Sequence, residues 1–221
     1  MCPSRAACPS RSSDRERQPL AALGPSGDDG EARLSAIEIY LARHGETEWS
    51  ANGRHTGNTD LPLTADGEEK AAALGRRLQS LGFEAVYSSP MQRARKTAEL
   101  AGFPDPQLTD LLKEVDYGEY EGLTSRQIHE FNPSWDVYWD GCPAGETPAQ
   151  IYARAQQFIV FAGKPGGRVL AFAHGHILRA IAAAWIRADL TVASGLMLDV
   201  ATLGVLRDDG RRVITLWNSP P

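Results

Sequence analysis

"EIYLARHGETEWS", residues 38–50, opens as an apolar run and stops at Arg43-His44-Gly45. Ile39 to Ala42 read as a buried strand whose carboxyl end carries a guanidinium, an imidazole and a glycine. In open α/β sheets the crevice beyond the carboxyl ends of the strands is where ligands bind. A second stretch, "GGRVLAFAHGH" at residues 166–176, has the same plan: an apolar run that ends in His174-Gly175. If the two strands are parallel neighbours, His44 and His174 meet in that crevice. The glycines let the backbone turn sharply and approach a ligand closely.

Working outward, strand-like and helix-like patterns alternate from Ile37 onward, the signature of a layered α/β sheet. Ile37 to Ala42 form the first strand. Thr64 caps a helix with Leu74, Leu78 and Leu81 along one stripe and Gly82 at its close. "FEAVYSSP" is a short strand, after which Ser89 as N-cap and Pro90 at the first helical position open "MQRARKTAELAG". Leu108 to Lys113 suggest a further strand or extended segment. Residues 124–139 mix a short helical pattern with Trp135, Tyr138 and Trp139, which read as packing residues. Thr147 and Pro148 start a long helix that buries Ile151, Ala155, Phe158 and Ala162. "ILRAIAAAWI" is the helix after the second His-Gly, and "ATLGVLRDDGRRVITLWN" is a hairpin with Asp-Gly at its tip. There is no internal repeat and no linker after residue 35, so residues 35–221 read as one domain. Residues 1–34, rich in Ser, Pro, Gly, Arg and Asp, read as a disordered extension. They lack the apolar core of a secretory signal, and an overextended start or an organelle transit peptide are the other readings.

Bulk composition removes several functions. Of 221 residues, 42% are hydrophobic and 23% charged, and the formal charge is −5. There is no basic face for nucleic acid, and no apolar run approaches the roughly 18 residues of a membrane helix. Cys2, Cys8 and Cys142 are too few and too scattered for a disulfide framework or a zinc site. The five histidines show no metal-ligand spacing, and a reducing cytoplasm is the expected setting.

What remains is an anion site. Arg43 beside His44, Arg93 at the start of a helix, and His174 at a helix N-terminus supply the donors that a tetrahedral oxyanion needs. "RHGETEW", "TGNTDLPLT", "SSPMQRARKTA", "LKEVDYGEYEG" and "FAHGH", in this order, resemble the histidine phosphatase superfamily, the phosphoglycerate mutase-like proteins. The resemblance runs from about Glu38 to the C-terminal hairpin. "DGCPAGET" and "RHTGNTDLPLT" look closer to the family's acid phosphatases and sugar bisphosphatases than to its glycolytic mutases.

That resemblance implies a three-layer α/β/α sandwich with a mostly parallel central sheet and a small cap around 124–146. It implies a phosphoric monoester hydrolase acting on small phosphorylated metabolites, with no cofactor, no metal and, as is common in the family, a homodimer. His44 would take the phosphoryl group, with its other nitrogen donating to a backbone carbonyl. Arg43, Arg93 and His174 would hold the phosphoryl oxygens. Glu114 would protonate the leaving oxygen and then activate water, its pKa raised by the phosphate dianion. Ser50 stands where many members carry Asn, and its hydroxyl would contact phosphate. Asn52, Thr56, Gly57, Tyr117 and Gly175 would lie along the substrate, and Arg54, with Arg126 or Arg154, would grip a second anionic group. Glu114 follows Arg93 by 21 residues and His174 follows Glu114 by 60. That leaves a small lid, which favours hydrolysis over mutase-type transfer; an inactive phospholigand-binding module is the reading from another class.

Overall fold

A computed structural model describes residues 37–221, so the reading of 1–34 as a disordered extension lies outside the described residues. The strands are β1 (Ile37–Arg43), β2 (Ala85–Ser88), β3 (Gln107–Leu108), β4 (Arg168–Ala173), β5 (Leu203–Asp208) and β6 (Arg212–Ser219). They form one sheet in the order β3-β2-β4-β1-β5-β6. The first four are mutually parallel, and β5 and β6 close one edge as an antiparallel hairpin. The helices are α1 (Glu48–Ala51), α2 (Ala65–Leu78), α3 (Gln92–Leu100), α4 (Ser125–Phe131), α5 (Val137–Asp140), α6 (Pro148–Ala162) and α7 (Gly175–Trp185).

Alternation along β1 sorts the layers. Ile39 and Leu41 face one way, into a core shared with Ile151, Phe158, Ile177 and Ile181 of α6 and α7. Tyr40 and Ala42 face the other way, against Leu74 and Leu78 of α2 and Ala98 of α3. The result is the expected α/β/α sandwich. Val169 to Ala173 of β4 are wholly buried, as a central parallel strand covered on both faces requires. Register then places the site: Arg43 pairs with Ala173, so His44 and His174 step off adjacent strand ends together.

Three local readings need correction. Helix α3 begins at Gln92, with Met91 as its N-cap, and not at Ser89-Pro90. Asp60 accepts the Gln92 N–H at 2.8 Å, so a neighbouring loop satisfies that first-turn amide, while the Ser89 hydroxyl is engaged by His174. Helix α2 ends at Leu78, before Gly82, because Leu81 N–H turns back to Leu78 O at 2.9 Å. The strand expected over 108–113 shrinks to Gln107–Leu108; Thr109 then caps a single 3₁₀ turn, Asp110–Leu112. The hairpin, the Thr64 and Thr147 caps and the buried face of α6 stand as read.

Candidate active site

His44 is buried and forms part of the wall of a cavity of about 160 Å³ at the carboxyl end of the sheet. Its Nδ1 lies 2.6 Å from Gly45 O. A carbonyl only accepts, so Nδ1 carries the proton and Nε2 is the free nitrogen. Burial first, then the charges of Arg43 and Arg93, lower the pKa of His44 from 6.5 to about 3, so the imidazole is neutral near pH 7. Gly45 is glycine because α2 comes so close: a Cβ there would lie 2.4 Å from Gly67 O. Its N–H donates to the Thr97 hydroxyl on α3, which locks the turn that presents His44.

Arg43 also lines the cavity. One Nη donates to Leu198 O, whereas Nε is buried without a protein partner. The guanidinium lies against Gly175, where a Cβ would stand 3.4 Å from it. Gly175 is the first residue of α7, so its N–H has no acceptor within the helix. A buried cationic donor and a helix N-terminus therefore share one wall.

His174 and Arg93 stand behind His44, wholly buried, and neither lines the cavity. The His44 and His174 rings are 5.1 Å apart. Arg93 Nε–H donates to His174 Nδ1 at 3.0 Å, so the proton of a neutral His174 is on Nε2, 2.8 Å from the Ser89 hydroxyl. Burial, then Arg93 and His44, hold the His174 pKa well below 6.5. The remaining Arg93 donors go to Thr56 O, Gly57 O and Thr59 O. Backbone carbonyls thus take up the fork that is expected to hold phosphoryl oxygens.

Glu114 lines the cavity and is clamped to the start of α7. Oε1 accepts from Val115 and Ile177 N–H, and Oε2 from His176 N–H, all between 2.9 and 3.0 Å. Burial pushes its pKa up, but hydrogen bonding and charge from His176 outweigh that and hold it well below the usual carboxylate value. The protein's own groups therefore favour the carboxylate.

Of the other expected residues, Ser50, Arg54, Thr56, Tyr117 and Gly175 line the cavity. The Ser50 hydroxyl is already engaged, accepting from Thr47 N–H and donating to Thr47 O in a capping box. Gly57 stands apart, with its N–H held by Glu121, and Asn52 turns its amide to Glu48 O. Arg126 does not line the cavity, and Arg154 is a strut: it grips Glu146 and the carbonyls of Leu111 and Lys113, fixing the segment that carries Glu114. Sequence reasoning missed Gly53, His55, His176, Arg179 and Leu198. Helical period held the signal for one of them, since Arg179 is four residues after Gly175 on the same face of α7. A larger cavity of about 730 Å³ opens beside Ile37 and Trp185, at the opposite end of the sheet, and has no histidine, cysteine or carboxylate among the described residues that line it.

The match to known proteins now has a geometry to explain it. A family model, the histidine phosphatase superfamily (branch 1), matches residues 39–220. The chain belongs to the histidine phosphatase superfamily. This superfamily member is 42% identical over 171 residues to an acid phosphatase of Mycobacterium tuberculosis, covering 76% of this chain and 84% of that protein. It is 38% identical over 178 residues to a sedoheptulose 1,7-bisphosphatase of Saccharomyces cerevisiae, with 66% of each chain covered. The solved structure of an open reading frame product from M. tuberculosis superposes with a TM-score of 0.80 at 38% identity, over 83% of this chain and 98% of that one.

Proposed function

We propose that this histidine phosphatase hydrolyses phosphate monoesters of small metabolites through a phosphohistidine on His44. The observation that carries the reading is the state of that side chain: neutral, Nδ1–H tied to Gly45 O, and Nε2 free on a residue lining the cavity beside Arg43. Nε2 attacks phosphorus as the ester P–O bond breaks, and Glu114 gives its proton to the departing oxygen. Water then attacks the phosphoryl group, Glu114 takes a proton back from it, and the P–N bond breaks. Arg43 neutralises the charge that spreads over the phosphoryl oxygens. Arg93 adds positive charge from behind, and His174 Nε2–H exchanges Ser89 for a phosphoryl oxygen. No step asks for a metal.

Hydrolysis is favoured over mutase-type transfer by the short lid and by the identity to the acid phosphatase. Arg54 and Arg179 on the wall, with Glu114 the one carboxylate among the lining residues, favour leaving groups that carry a second acidic group. A cytoplasmic location is the setting we infer; the described cysteine, Cys142, is a free buried thiol whose pKa burial raises to about 12. Among the described residues no helix is long and apolar enough to cross a membrane. The test is a panel of phosphorylated metabolites that includes 3-phosphoglycerate and 2,3-bisphosphoglycerate. Release of inorganic phosphate is expected, and rapid isomerisation with little free phosphate would overturn the choice.

A further inference from the structure

Glu114 poses a problem for its own role. Three amides and the start of α7 hold it as a carboxylate, yet protonating a sugar alkoxide needs it as an acid. The neighbour able to supply the missing proton is His176. Its Nδ1 is 3.7 Å from Glu114 Oε2, the same oxygen that its backbone N–H already holds at 3.0 Å. Oε1 is occupied by two amides, so Oε2 is the oxygen open to protonation.

We propose that His176 loads Glu114: when a phosphate dianion enters the cavity, the His176 imidazolium turns Nδ1–H from Tyr117 OH toward Glu114 Oε2, closes the 3.7 Å between them and gives up its proton there. The dianion drives the transfer, because a negative charge beside Glu114 favours its neutral form. The exchange leaves a neutral imidazole and a carboxylic acid, and atoms and charge balance. After the water step has reprotonated Glu114, the proton returns to Nδ1 as phosphate departs.

The surroundings of His176 are arranged for both states. Tyr117 OH lies 2.6 Å from Nδ1. Burial holds Tyr117 as a phenol, so it donates to the neutral ring and can accept from the charged one. Tyr138 OH donates to His176 O at 2.9 Å and fixes the backbone. The rings of His55, Tyr117 and Tyr138 pack around the imidazole within 5.7 Å. His176 and Arg179 both line the cavity. Glu114 is the charged group beside it, Arg43, Arg54 and Arg179 share the cavity wall, and His44, His55, Tyr117 and Tyr138 are the neutral titratable ones. His176 acts through Glu114 and not on the ester itself.

This inference rests on the phosphatase reading, and the experiment separates the two. His176→Gln keeps the backbone amide and a hydrogen-bonding side chain but cannot carry the proton. Its turnover of a sugar phosphate should fall about tenfold more than its turnover of p-nitrophenyl phosphate, whose leaving group needs no acid. The alkaline decline of sugar phosphate turnover should move to lower pH, since an imidazole–carboxylate pair retains a shared proton longer than a carboxylate alone. Combined with Glu114→Gln, the substitution should add less than about threefold to the loss, because both remove one proton pathway. Equal losses on both esters, an unmoved pH profile, or multiplicative losses in the double variant would overturn the role of His176 and leave the phosphatase reading standing. Wild-type protein that hydrolyses neither ester would overturn both.

Discussion

Glu114 stands under opposing forces. Burial favours its neutral form, whereas His176 and the amides of α7 favour the carboxylate, and the second set prevails. His44 has the reverse balance: burial and two guanidiniums deny it a proton down to about pH 3. Turnover of alkyl phosphates should therefore rise as pH falls from 8 toward 5, because the acid gains its proton while the nucleophile stays neutral. Initial rates on a sugar phosphate across that range check this, and an optimum above pH 8 would contradict it. Glu114→Gln should slow sugar phosphates by about 10²–10⁴-fold and aryl phosphates far less; equal losses would remove Glu114 from the acid role. At this scale the sequence was most legible for residues whose own neighbours announce them. Arg43, His44 and Gly45 end an apolar run, as do His174 and Gly175. His55 and His176 were not legible, since only tertiary packing brings their rings onto Tyr117.

Elements transmit this chemistry through a few close contacts. Glu121 takes the N–H groups of Gly57 and Thr59, the loop whose carbonyls hold Arg93, and Arg93 in turn holds His174. The exit of β1 rests on α2 so closely that neither Gly45 nor Gly67 has room for a side chain. Gly45→Ala should cost about 1–3 kcal/mol of stability, in the range of overpacked cores, and displace His44. A lowered Tm together with reduced turnover is the expected outcome, and a variant as stable and active as the parent would show that the contact yields easily. Helix faces and caps were legible because period and capping are local signals, as Thr64, Thr147 and the α6 stripe show. The start of α3 was not, because Asp60, distant in sequence, satisfies Gln92 N–H while Ser89 serves His174. A local cap motif cannot reveal that competition.

Across the whole molecule, the site carries a stability cost that pH exposes. His44 and His55 have pKa values lowered to about 3, with burial the main cause of each, and His174 lies well below 6.5. Below pH 6.5 the unfolded chain binds protons on these histidines that the folded chain refuses, so acidification favours unfolding. Each contributes up to about 1.4 kcal/mol per pH unit, continuing down to its own folded value. Glu114, depressed in the folded state, adds stability above its unfolded value that is lost as pH falls through its folded one. Tm should drop between pH 7.5 and pH 5 and recover in part on adding inorganic phosphate, which binds only the folded site. A Tm that does not move over that interval would contradict the buried, neutral histidines. A layered α/β sheet was readable from alternating patterns and its three layers from the family resemblance, but the size and charge of the cavity were not, because the segments after β1 and α3, the first turns of α7 and Leu198 build it jointly.

The central claim is a covalent one, a phosphoryl group carried on His44 Nε2. Rapid quenching of the protein during turnover of a ³²P-labelled phosphate ester tests it most directly. The account expects protein-bound label that is stable in alkali, labile in acid, mapped to the peptide holding His44 and absent from His44→Ala. Turnover without such label, or label that survives acid, would contradict it.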